Sequence, residues 1–489
     1  MKRIALGLAV VLTLAACGGS DDDGSSATQP ADTEATTDTE APVETDVTTD
    51  TDAPAETDGP EEDDVAADGV LDVPDEFATI TEAVDAAQPG DLVLIAPGVY
   101  NEAVDVTTDE ITIRGLDRNE VVLDGEFELD NGVRILGANG VAIENLTTQN
   151  YTGNGVFWTA VDGYRGSYLT AYRNGDYGVY AFDSVNGQLD NSYAAGSPDA
   201  GFYIGQCYPC NALVDTVTAE HNGLGYSGTD SGGDLYVINS TFNNNRAGIV
   251  PNSGSYELCY PERETTLIGN TVFDNNQADT PAIDVAVLAM GNGILVAGGV
   301  RNTISRNLVY THARTGIGLI PFPEENANDD LPTVEEWDVS CDVQREQPVA
   351  EEFPEELIWD PIDNTITDNV VSGSGEGDLA VFGLVTATED LGNCWSGNTY
   401  GFTAPADLET LAPCDGEGSG DWTVDPLDAL AWLDTSATAP SVDYETAPLP
   451  PIPVLDNMPD AATAPAAPAT DVPYSVDYDA IVVPTAPAG

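Results

Sequence analysis

Glycines recur through the middle of this chain at a nearly fixed interval. Gly155, Gly178, Gly201, Gly225 and Gly248 are separated by 23, 23, 24 and 23 residues, and Gly293 and Gly316 again by 23. A period of this size means stacked supersecondary units, each unable to bury its apolar face alone.

The units are rich in short β-type pieces broken by Asn, Gly and Asp. An apolar residue stands two or three positions before an asparagine in Ile143/Asn145, Val237/Asn239, Leu267/Asn270, Ile304/Asn307 and Ile366/Asn369. Around them Val, Ile, Leu and Thr cluster or alternate with polar residues, as in Leu235-Tyr236-Val237-Ile238. No 3.6-residue apolar stripe persists here, and leucines are too few for a leucine-rich repeat. The pattern predicts an all-β, right-handed parallel β-helix over residues 67–400, of about ten rungs stacked at roughly 4.8 Å. Asparagine is expected at the bends, and the period glycine at a corner of positive φ. Ile80 to Ala87 reads as a short helix capping the first rung. Gln88-Pro89-Gly90 ends it, and Asp91 to Ile95 begins a strand.

The run Ala78-Thr79-Ile80-Thr81-Glu82-Ala83-Val84-Asp85-Ala86-Ala87, followed by Pro89-Gly90-Asp91 and Ala96-Pro97-Gly98-Val99-Tyr100, resembles the entry segment of pectin-lyase-like β-helix proteins. The resemblance implies the fold. It does not imply one activity, because lyases, hydrolases, epimerases and adhesins share that superfamily.

Lys2 and Arg3 precede an apolar run from Ile4 to Leu14, and residues 1–16 read as a signal peptide. Leu14-Ala15-Ala16-Cys17 resembles a bacterial lipobox, which implies lipidation of Cys17 and anchoring of an exported protein at a membrane or cell surface. Residues 17–66 form an acidic tether: positions 21–64 hold 17 acids and no base. Residues 401–435, with Trp422, Leu427, Leu430 and Trp432, suggest a small cap element. Residues 436–489 read as an irregular Pro/Ala-rich tail, laid in part along the β-helix. Six cysteines besides Cys17 favour disulfides in an exported chain. Cys394–Cys414 is the expected local pair, and Cys207, Cys210, Cys259 and Cys341 are left to pair among themselves.

The chain has 85 acids against 13 bases, a net charge of −72. Beyond Arg3 every base is an arginine. Such a surface excludes nucleic acid as a partner. It fits solubility in salt, or divalent-cation binding by carboxylate clusters, with Ca2+ the candidate ion. No EF-hand loop and no calcium-repeat motif is present, so no cofactor is assigned. Two histidines and three methionines argue against metal delivery.

Aligning rungs on the period glycines gives columns of spatial neighbours. Asp183, Gln206 and Asp230 fall in one column and Tyr180 and Tyr203 in another. Asp183 and Asp230, two rungs apart, would stand roughly 9–10 Å from each other. That is near the carboxyl separation of an inverting glycosidase. Asp183, Asp230, Glu220 and His221 are the candidate catalytic residues. Tyr180, Tyr203, Gln206 and Arg246 are the candidate substrate contacts. Asp176 and Asp199 form a further column beside the glycine bend. His221 and His312 occupy a bend position where other rungs have Asn174 and Asn244. Two functions stay open: a monomeric surface protein that binds or processes a polysaccharide, as a hydrolase or lyase if it is an enzyme, and a non-catalytic adhesion or envelope module.

Overall fold

The computed structural model describes residues 69–347, 354–384, 391–418, 426–431, 439–469 and 476–486. The signal peptide, Cys17, the tether, Trp422 and Trp432 lie outside them. Parallel strands wind into three long sheets of twelve, twelve and ten strands, here sheets I, II and III. One coil passes from Val179–Phe182 in sheet II to Val185–Asp190 in sheet I and Tyr193–Ala195 in sheet III. It re-enters sheet II at Ala200–Gly205. The core is a set of ladders. In sheet II, Val156, Val179, Phe202, Tyr226, Ile249 and Ile294 stack in register with their side chains fully buried. Each such side chain contributes about 1.5–3 kcal/mol by leaving water.

Helix Ile80–Ala86 closes the first rung. Thr79 Oγ1 accepts from the Glu82 amide, and Ile80, Ala83 and Val84 face inward. A strand before it, Val70–Val73, pairs with Leu92–Ile95; its short run carried no sequence signal strong enough to stand out. At the other end Leu408 of helix Leu408–Leu411 is buried, and Cys394 is bonded to Cys414.

The period glycines do not sit at positive φ. A Cβ at Gly155, Gly178, Gly225, Gly248 or Gly293 would lie 2.4–2.6 Å from the carbonyl oxygen of the glycine one rung on. Close stacking, not a left-handed bend, excludes side chains there. Asparagines do line the corners. The amides of Asn270, Asn307 and Asn369 each donate at 2.9 Å to Oδ1 of the asparagine one rung later, ending on Asn398. The file satisfies corner N–H groups that no strand can reach.

The repeat breaks twice. Between Gly248 and Gly293 an insert carries helix Asp284–Ala289, whose Ala286 packs on sheet II with Ala200, Leu224 and Ala247. After Thr315–Ile320 a second insert forms the antiparallel pair Phe322–Glu325 and Glu356–Trp359 and helix Cys341–Arg345. The C-terminal segment runs back along the solenoid as a strap. Among the described residues, six of the eleven arginines beyond Arg3 donate to its backbone carbonyls, among them Arg114 to Ala464 and Pro465, Arg173 to Tyr444 and Ala447, and Arg306 to Tyr478 and Ile481. Arg118, Arg165 and Arg246 complete the set.

Candidate functional site

The Asp183–Gln206–Asp230 column exists. Each residue follows a sheet II strand and turns the chain with φ of 54°, 53° and 46°. Their amides donate in file, Asp183 to Gly205 O, Gln206 to Thr229 O and Asp230 to Asn252 O. The side chains do not form an open pair. Asp183 is half-buried and ion-paired with Arg345 from the second insert. Gln206 Oε1 accepts from the Leu258 amide at 2.8 Å. Asp230 is fully buried beneath residues 253–262, with Oδ1 accepting from Gly254 N at 3.2 Å. Burial, then the nearby Glu257 charge, pushes its carboxyl well above the usual range. A two-carboxylate hydrolytic site therefore lacks a place for substrate and water between these acids.

Asp230 belongs to a nest of acids under that loop. Glu257 accepts from Tyr203 Oη at 2.6 Å, and burial raises its carboxyl to about 8. Glu262, held by Thr265 Oγ1 and Asn302 Nδ2, is also raised to about 8 by burial. Glu324 accepts from Ser255 N, Ser255 Oγ and Trp359 Nε1. Asp230 Oδ2 and Glu257 Oε2 are buried with no hydrogen-bond partner among the described residues. The guanidinium of Arg263 lies 3.6 Å from the Tyr208 ring centroid and donates to Cys259 O and Pro261 O. Disulfides Cys207–Cys210 and Cys259–Cys341 fasten the loop and the second insert, so Cys207-Tyr208-Pro209-Cys210 is a structural bridge.

The tyrosine column lies on the outer face of sheet II. Tyr180 stacks on Phe157 at 4.6 Å and on Tyr177 at 4.2 Å, both nearly parallel. Two such partners take both faces of the ring, so Tyr180 offers its edge and hydroxyl and not a stacking face. Tyr203 is buried, its hydroxyl committed to Glu257. Phe157, Tyr180 and Phe182 remain half-buried. Asp183 borders them on one edge of the sheet and Asp176 on the other. Desolvation, then the Asp130 charge, raises the Asp176 carboxyl to about 6.

The remaining candidates stand elsewhere. Glu220 ends strand Thr218–Glu220 of sheet III, accepting from Tyr193 Oη at 2.8 Å and Asn243 Nδ2 at 3.1 Å. His221 is the bend residue after it, at φ 60°. The six-residue strand Leu224–Thr229 separates both from Asp230, roughly 20 Å at the usual rise per residue. They cannot share one reacting centre. Arg246 is not a substrate contact: its buried guanidinium donates to the carbonyls of Ala278, Thr280, Ala439 and Pro440. Among the described residues no group of three or more His, Cys, Asp or Glu side chains is placed to hold a metal ion.

This geometry defines a right-handed parallel β-helix. The family description "Right handed beta helix region" matches residues 131–320. No curated protein matches the sequence. The A-module of mannuronan C-5 epimerase AlgE4 from Azotobacter vinelandii is similar in structure at 14% identity and TM-score 0.44, over 73% of this chain and 97% of that one. ORF18 of Geobacillus virus E2 aligns at 13% identity and TM-score 0.43, over 68% of this chain and 62% of that one. Alginate lyase from Paenibacillus sp. str. FPU-7 aligns at 12% identity and TM-score 0.30, over 68% and 95%. Likeness at this level concerns the shape of the coil.

Proposed function

We propose that this is an exported, lipid-anchored surface protein that binds a polysaccharide along the outer face of sheet II. One observation carries the reading: Phe157, Tyr180 and Phe182 reach solvent together between two acidic edges, Asp176 and Asp183. Apolar ring edges flanked by the Asp176 carboxyl and the Asp183–Arg345 ion pair suit the mixed C–H and hydroxyl surface of a sugar chain. The net charge of −72 disfavours polyanions and favours a neutral glycan. Binding without cleavage is the reading, since Asp230 is sealed and Asp183 is held by Arg345. Cys17 supplies the anchor and the acidic tether the reach. The test is affinity electrophoresis of the mature domain on neutral and acidic polysaccharides. A Phe157→Ala, Tyr180→Ala variant should lose retardation on the neutral set by about tenfold in affinity, the loss of two aromatic contacts. Absence of retardation on every polysaccharide would leave the envelope-structural role.

A further inference from the structure

A second concave site lies far from this face, where the strap crosses the corner between sheets I and III. Its cavity has a volume of about 520 Å³. Its floor is built by three successive rungs: Tyr168, Asn191 and Thr216 are bend residues at φ 53°, 47° and 56°, and Tyr193 and Thr218 open the sheet III strands after the second and third bends. Its wall is the strap, through Leu455, Asp456 and Pro459. Neither half encloses a ligand alone.

The wall is fixed in place. Asn119 pairs with Leu455 through two hydrogen bonds of 2.9 Å, Nδ2 to O and N to Oδ1. Arg118 N donates to Asn457 Oδ1, and Met458 N donates to Asn145 Oδ1. The Arg118 guanidinium ties the two halves, donating to Asn191 O and Leu169 O on the solenoid and to Asp456 O on the strap. It is nearly fully buried. Behind the floor, Glu220 accepts from Tyr193 Oη and orients that ring.

We propose that this cavity binds a short neutral oligosaccharide, and that the ligand locks the strap onto the solenoid. The chemistry of the lining selects the ligand. One guanidinium and one carboxylate, Arg118 and Asp456, offset each other, so no net charge is demanded. The hydroxyls of Tyr168, Thr216 and Thr218 match sugar hydroxyls, while Leu455, Pro459 and the tyrosine rings match sugar C–H faces. The volume suits two or three pyranose units. Because both halves touch the ligand, binding stabilises the docked strap by mass action. This site is separate from the sheet II face and stands or falls independently of it.

The test uses the mature chain with cellotriose, maltotriose, mannotriose and chitotriose, read by saturation-transfer NMR and calorimetry. At least one should bind, and should slow amide exchange at residues 455–458. The Tyr168→Ala, Thr218→Val variant should unfold at the wild-type temperature and bind about tenfold more weakly, the loss of two hydrogen bonds. The Phe157→Ala, Tyr180→Ala variant should bind these trisaccharides as wild type does. The proposal is overturned if no trisaccharide binds, if the corner variant binds normally, or if the sheet II variant is the one that loses them.

Discussion

Sheets I and II both bury carboxyl groups beneath a covering segment, and they do it by opposite means. Under the strap, Glu144 lies between two guanidiniums, Arg114 at 2.7 Å and Arg165. Under the disulfide-fastened loop, Arg263 lies near Asp230 and Glu262 but not Glu257, and burial drives all three acids toward the protonated form. The first region keeps a charge and pairs it. The second keeps a proton instead. A chain with 85 acids and 13 bases cannot pair every acid it covers. Here six arginines serve the strap, and the nest of acids relies on protonation and on hydroxyl, amide and indole donors. Segments closed by ion pairs and segments closed by protonated acids should therefore fail under different conditions.

The largest expected effect lies on the paired side. Arg114→Ala removes one of two partners of Glu144 and releases the strap carbonyls of Ala464 and Pro465. Breaking a buried pair costs about 3–5 kcal/mol, because a charge is left in a poorly solvated place. Denaturant unfolding should show the loss, and protease should cut first within residues 461–467. A loss below about 1 kcal/mol would mean that Arg165 and water suffice, and the contrast between the regions would weaken.

The protonated side should answer to pH. Glu257 and Glu262 have folded values near 8, above the ordinary 4.5. The folded state then holds protons that the unfolded state has lost between those limits. Stability is full below about pH 4.5 and falls as pH rises toward 8, by up to about 1.4 kcal/mol per pH unit for each carboxyl. Amide exchange in residues 253–262, corrected for intrinsic rates, should accelerate over that window. Glu257→Gln with Glu262→Gln imitates the protonated pair and should remove their share of the slope, leaving that of Asp230. An unchanged profile in the variant would show that these acids ionise without cost.

The coil, the first helix, the Asp183–Asp230 column and Cys394–Cys414 were legible in the chain because a 23-residue period converts sequence distance into stacking. The site was not, because it is shaped by the places where the period breaks. Loop 253–262 and helix Cys341–Arg345 lie in stretches without repeat, and they cover Asp230 and capture Asp183. The jump from Gly248 to Gly293 was the available signal: an insert between rungs must pack on the outside of the coil. Arg246 departs from the role expected of it for the same reason, since its carbonyl partners come from residues 278–280 and 439–440. The arginines themselves hinted at the strap. In so acidic a chain, a buried arginine row needs acceptors, and a Pro/Ala-rich tail has little but backbone carbonyls to give.

The smallest effect tests whether the same rule governs a base. His312 sits where neighbouring rungs place asparagine. Asn245 Nδ2 donates to Ala219 O and Asn275 Nδ2 to Phe242 O, and His312 Nε2 meets Val272 O at 3.2 Å in the same way. Burial lowers its pKa to about 4, below the ordinary 6.5. The neutral ring thus supports the fold above pH 6.5, and that support is lost as pH falls toward 4, on the order of 2 kcal/mol at pH 5. His312→Asn keeps the donor and adds an oxygen that can accept from the Asn275 amide, extending the file. Near neutral pH the variant should be about as stable as wild type. At pH 5 it should be the more stable, while Glu257 and Glu262 are protonated in both. Equal stability at pH 5 would mean that the corner opens to solvate the imidazolium, and that covering a group in this coil does not by itself decide its proton.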